Sequence, residues 1–317
     1  MSAEPLEAVV VGRVGADLYP APDQLRRPLS EVERYERYVG GFAGNVATGL
    51  ARLGVRVAIV SRVGDDGHGR FIRRFLEAEG VDVRWLGVDR ELRTALAFCE
   101  IWPPDRFPIT FYRTPTCPDW RIAREDLDLP LIASAPVLLT AATGLARSPS
   151  RETTLELLEM HRGLAVFDLD HRPVLWEDAR SYPLYARLAS RRAAVVIGNA
   201  EELAAATGIE DERGAAERIL DLGPSLVVAK RGAAGCALHD RGGVREVAGV
   251  PVEVVNGLGA GDAFAAAFAY GLLRELDELE AARLANAAGA IVAGQIPCSS
   301  AMPTLDRIQR VAAGGRR

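Results

Sequence analysis

Short apolar runs alternate with amphipathic segments along most of the chain. The run "EAVVVG" predicts a strand, "AGNVATGLARLG" a helix, "RVAIVSRVG" a second strand, and "DGHGRFIRRFLEAEG" a helix closed by Gly80. The rhythm returns in "APVLLTAA", "LAVFDLD", "AAVVIGN" and "SLVVAKRG", with the helical segments "SRETTLELLEMHRG" and "AEELAAATG" between them. These strands are continuous apolar runs, the pattern of parallel strands covered on both faces by helices. The expected fold is therefore α/β, a central and mostly parallel sheet flanked by helices.

Two stretches break this pattern. Asp17 to Tyr38 mixes prolines and charges, and "RTALAFCEIWPPDRFPITFYRTPTCPDWR", Arg93 to Arg121, alternates apolar and polar positions between prolines. Both suit short antiparallel strands outside the main core. Inserted after early strands, they predict a small β-sheet lid, formed by about 13–38 and 93–121 within one domain spanning 1–317. Such a lid would cover the carboxyl ends of the core strands, where open parallel sheets bind ligands.

Composition narrows the function. The chain has 317 residues, 49% of them hydrophobic, enough for one large core. Its formal charge of -5 offers no extended basic surface, so no nucleic-acid partner is expected. The cysteines, Cys99, Cys117, Cys236 and Cys298, form no C-x-x-C pair, which points away from a disulfide framework or a structural zinc site. Acids precede the short first apolar run, unlike a signal peptide, and no apolar stretch has the roughly 20 residues of a membrane span. A cytoplasmic enzyme acting on small molecules, without a membrane partner, is the expectation.

The chemistry concentrates in "NGLGAGDAF". Gly257, Gly259 and Gly261 leave backbone amides uncovered, and the following helix presents its positive end to the same place, as an anion site requires. The spacing matches neither G-x-G-x-x-G nor a Walker loop. Asp262 reads in two ways: a helix-capping acid, or a base beside the anion hole that takes the proton of an attacking hydroxyl.

The run Gly259-Ala260-Gly261-Asp262 resembles the second signature of the ribokinase-like (PfkB) carbohydrate kinases. That resemblance implies Asp262 as catalytic base, with Gly259, Ala260 and Gly261 steadying the transferring phosphoryl group. Asn256-Gly257 stands where the family commonly has Asp-Thr. "YVGGFAGNVATGLARLG" is similar to the first signature, which implies that Gly40 and Gly41 let the substrate approach the backbone and that Asn45 bonds sugar hydroxyls; Asn45 alone also reads as a helix-start cap. Asp17 resembles the family's substrate-binding aspartate, although by itself it reads equally as a turn residue. Asn199 and Glu202 match the N-x-x-E motif, implying a Mg²⁺ site reached through water, while their spacing also allows a capping box. "VVAKRGAAGC" is similar to the nucleotide turn, with Lys230, Gly232 and Gly235 as contacts to ATP. Asn286 resembles the residue at the adenine pocket, and equally fits helix packing. A monovalent cation such as K⁺ is a further cofactor the family implies.

The substrate is an acid sugar if arginines are the guide. Arg113 in "FPITFYR" and Arg172 in "FDLDHRPVLW" could grip a carboxylate through paired hydrogen bonds. "GRVGADLYP", "RTALAFCEIWPPDRFPITFYR", "FDLDHRPVLW" and "CSSAMPT" are similar to the 5-dehydro-2-deoxygluconokinase branch of inositol catabolism. The resemblance implies phosphorylation of the 6-hydroxyl, with 2-keto-3-deoxygluconate as the rival substrate and a sugar-binding module without catalysis as a more distant alternative. The apolar alternation in "TALAFCEIW" leaves a lid face that a homodimer would cover.

Overall fold

The computed structural model describes residues 5–296 and 298–314. Within them the strands are β1 (Ala8–Val11), β2 (Gly15–Pro20), β3 (Tyr35–Gly40), β4 (Val57–Gly64), β5 (Asp82–Asp89), β6 (Leu96–Cys99), β7 (Ile109–Tyr112), β8 (Val137–Ala141), β9 (Leu164–Asp168), β10 (Val195–Asn199), β11 (Leu226–Lys230), β12 (Gly235–Asp240) and β13 (Gly243–Ala248). The main sheet has the order β13-β12-β11-β10-β9-β8-β1-β4-β5. The pairs from β11 through to β5 are parallel, and β12 and β13 add an antiparallel hairpin at one edge.

Residue parity decides which helix layer each strand meets. Val10, Ile59, Leu139, Val166, Ile197 and Val228 face the helices Phe42–Arg52, Ala260–Leu273 and Glu278–Ala293. Their neighbours Val9, Val11, Val60, Leu138, Phe167 and Val196 face the other way, toward the helices Ser150–Met160, Ser181–Ser190 and Glu212–Leu220. Two full layers explain why these strands read as unbroken apolar runs.

The chain runs outward from β1 to β4 and β5, then returns to β8 on the other side of β1 and proceeds to β11. Strand order therefore reverses between β1 and β8. A crevice opens beyond the carboxyl ends of strands at such a point.

A second sheet, ordered β3-β2-β6-β7, stands over that end. Its β2–β3 and β6–β7 pairs are antiparallel as expected, but β2–β6 is parallel. The reason is topological: β2 follows β1 and β6 follows β5, both leaving the same carboxyl edge of the main sheet in one direction. The small sheet also differs from the expected limits. It runs on to Gly40, whereas Cys117 and Trp120 leave it and are buried in the main core, where Trp120 Nε1 donates to the Thr143 carbonyl at 3.1 Å.

Candidate active site

Four core strands deliver polar side chains to the crevice from their carboxyl ends. Arg13 follows β1, Asp168, Asp170 and Arg172 lie at or beyond the end of β9, Asn199 ends β10, and Lys230 ends β11. The helix Ala260–Leu273 meets them with its N-terminus, where Gly259 caps the first turn at φ +81°. A Cβ on Gly259 would sit 2.4 Å from that of Cys298, so this left-handed, tightly packed position requires glycine.

One cavity lies under the small sheet. Arg13, Asp17, Gly41, Asn45, Asp170, Arg172, Gly259, Asp262 and Cys298 line it, and Ala97, Ile109 and Phe111 close it from above. Gly40 makes room at its wall: a Cβ there would lie 2.0 Å from the Asp17 carboxylate. Burial pushes Asp17 up to about 6, against the Cys298 thiol, which donates to it at 3.4 Å, and against the charge of Arg13.

Asp262, in the first helical turn, accepts a hydrogen bond from Asn45 Nδ2 at 2.7 Å. Its carboxyl is pushed up to about 7, first by burial and then by Asp170, with the Asn45 bond opposing. A carboxylate of that basicity is matched to proton transfer near neutral pH. Asn45 Oδ1 is buried and has no hydrogen-bond partner among the described residues. It is thus a free acceptor beside Asp262.

A second cavity shares the same loop. Lys230, Gly232, Gly235, Gly257, Ala260, Gly261 and Asn286 line it, with Pro104 and Phe107 reaching down from the segment between β6 and β7. Lys230 Nζ donates to Asp168 at 3.0 Å and lies 3.7 Å from Glu202. Burial works against the ammonium, but Asp168 and Glu202 outweigh it and hold Lys230 above the ordinary lysine range. Asn199 and Glu202 form a reciprocal capping box: Glu202 N donates to Asn199 Oδ1 at 2.9 Å, and Asn199 N to Glu202 Oε2 at 2.8 Å. Two cavities, one lined by three carboxylates and two guanidiniums and the other by a lysine and glycines, thus meet at residues 257–262.

Residues 6–305 match the family model described as "pfkB family carbohydrate kinase". The chain belongs to the pfkB family of carbohydrate kinases. Among its relatives is a protein of Geobacillus kaustophilus (strain HTA426) named 5-dehydro-2-deoxygluconokinase, 35% identical, with 97% of this chain and 93% of the relative covered. A protein of the same name from Shouchella clausii (strain KSM-K16) is 37% identical, with 96% and 94% covered. In structure, this pfkB kinase is similar to a double-mutant fructokinase from Vibrio cholerae O395 in fructose, ADP and potassium ion bound form. The TM-score is 0.85 at 28% identity, with 98% and 99% covered.

Most residues singled out in the sequence of this pfkB kinase come together at the two cavities. Arg113 does not line either of them. It is buried, pairs with Asp119, and lies over the Trp120 ring at 4.3 Å. The other oxygen of Asp119 accepts from Val14 N at 3.0 Å, so the pair anchors the turn after β1. Asn286 reaches the cavity beside Lys230 by another route than helix packing, donating to the Val247 and Ala248 carbonyls at 3.3 and 3.1 Å. Asn256 is fully buried, bonding the Ile296 carbonyl and accepting from Leu258 N at 3.0 Å, and so braces the glycine loop from within.

Three residues in the crevice were not singled out in the sequence: Arg13, Asp168 and Asp170. Their signal was position, since each lies at or just after the carboxyl end of a predicted core strand. Asp170 accepts from Thr143 Oγ1 at 2.7 Å, Arg172 Nε at 3.0 Å and Arg13 Nη2 at 3.3 Å. Burial opposes its charge, but Arg172 and Arg13 outweigh burial and hold it well below the usual carboxylate range.

Proposed function

We propose that this kinase transfers the γ-phosphoryl group of ATP to the 6-hydroxyl of 5-dehydro-2-deoxy-D-gluconate. The observation that carries the reading is one cavity with Asp262, a half-buried carboxylate of raised basicity, and the guanidiniums of Arg172 and Arg13 in its lining. The names of the relatives from Geobacillus kaustophilus and Shouchella clausii support the same substrate. Asp17 and Asn45 would hold hydroxyls, and the arginine side would hold the carboxylate. The primary hydroxyl oxygen attacks the γ-phosphorus, its proton passes to Asp262, and the bond to ADP breaks. First-turn amides from Gly259 to Gly261 would steady the charge on the transferring group.

Mg²⁺ accompanies the nucleotide in this proposal. The donor set fits a hard cation, since Glu202 and Asp168 present oxygens near Lys230 and the glycine loop. Among the described residues no three His, Cys, Asp or Glu side chains form a cage. Asn199 and Glu202 would therefore hold water of a hydrated ion. When bound, Mg²⁺ neutralises phosphate charge. A monovalent cation is a further proposed cofactor, supported by the potassium-bound Vibrio cholerae fructokinase. Pairing of two chains through the small sheet is proposed as well. On that sheet Phe98 lies edge-on to Tyr35 and Tyr112, and Tyr112 is 60% exposed. Light scattering at micromolar concentration should give twice the chain mass, and a monomer mass would count against the pairing.

A coupled ADP-release assay over a panel of sugars tests the substrate. The highest kcat/KM is expected on 5-dehydro-2-deoxygluconate. A higher value on 2-keto-3-deoxygluconate would move the assignment to that acid, and a higher value on fructose or ribose would remove the acid-sugar reading.

A further inference from the structure

Arg13 follows the carboxyl end of β1, which lies between β8 and β4, and its side chain is 9% exposed in the wall of the sugar cavity. Among the described residues its one ion pair is long, 3.3 Å from Nη2 to Asp170, and its buried Nε has no hydrogen-bond partner. Asp170 is already well supplied by Thr143 and Arg172. One carboxylate therefore serves two guanidiniums and leaves donor capacity on Arg13 unspent. A buried guanidinium with an unmade bond is costly until an acceptor arrives. A planar carboxylate supplies two acceptor oxygens that match the guanidinium fork. Phe111, from β7, lies 5.8 Å from the Arg13 guanidinium and helps keep water from it.

We propose that Arg13 is a specificity-determining residue that reads the sugar's carboxylate together with Arg172, the role that the sequence pattern gives to Arg113. The proposal rests on the acid-sugar reading above. Arg113 is drawn to Asp119 and lies outside the cavity lining, whereas Arg13 is in it beside Asp17 and Arg172.

The test compares kcat/KM for 5-dehydro-2-deoxygluconate with that for its C1 carboxamide, which has nearly the same shape without the charge. The parent enzyme should prefer the acid; if it does not, the acid-sugar reading fails before any variant is made. Given that preference, Arg13→Gln should reduce it by about 10 to 10²-fold, with the KM for ATP and the melting temperature near those of the parent. Arg13→Lys keeps the charge but loses the fork, and should give an intermediate reduction. If Arg13→Gln does not fold, Arg13→Lys is judged by the same ratio. A preference unchanged in the folded variants, or equal losses on acid and amide, would overturn the proposal.

Discussion

Replacing Asp262 with asparagine is expected to lower kcat by about 10²-fold or more while leaving the KM for ATP nearly unchanged, a loss of at least about 2.7 kcal/mol of transition-state stabilisation. Asparagine keeps the size and can still pair with Asn45, but it cannot take the hydroxyl proton. The parent's pH profile should carry the same signature. Burial pushes Asp262 up to about 7, so the required ionised form is lost as pH falls through that value. Below it, kcat/KM should drop about tenfold per pH unit, and the Asp262→Asn variant should lose that dependence. Steady-state kinetics from pH 5 to 9 on both proteins measure this. Unchanged turnover in the variant would remove Asp262 from the mechanism.

The second large effect is expected at Arg172. Replacement by alanine should reduce kcat/KM for the acid sugar by about 10 to 10³-fold, because a charge-assisted and paired contact disappears. Part of the loss is indirect: Asp170 would keep Thr143 and the longer bond to Arg13 but lose its 3.0 Å partner. Affinity for ATP should barely move, since Arg172 lines the cavity beside Asp262, proposed for the sugar, and not the one beside Lys230. Activity on a neutral sugar, where measurable, should fall less than activity on the acid. Equal losses on the two would assign Arg172 to support of Asp170 alone.

The main sheet was legible because burial on both faces writes an unbroken apolar run into each parallel strand. The small sheet was legible as a break in that pattern, but not in its pairing. Which strands neighbour one another depends on the exits of β1 and β5 from the main sheet, and residues 15–20 and 96–99 say nothing of each other locally. At the site, glycines and their neighbouring acid marked the Asp262 loop because a helix N-terminus has few ways to hold an anion. Arginines were harder. Arg13 and Arg113 both occur near strand ends, and sequence spacing does not say which guanidinium reaches a cavity. Asp119, six residues beyond Arg113, and Trp120 beside it were the local clues to the buried pair. Asn199 and Glu202 had two readings in the sequence; the capping box is present, it leaves Glu202 3.7 Å from Lys230, and the cation role remains a proposal.

The position of the new phosphate bond tests the central claim most directly. After turnover of 5-dehydro-2-deoxy-D-gluconate with Mg-ATP, a ¹H–³¹P correlation spectrum of the product should connect phosphorus to the two protons of the terminal C6 methylene. That result is the one expected if the arginines hold the carboxylate and the far hydroxyl faces Asp262. Phosphorus coupled to a ring or chain CH proton, or no phosphorylated product from this sugar while another is turned over, would contradict the account.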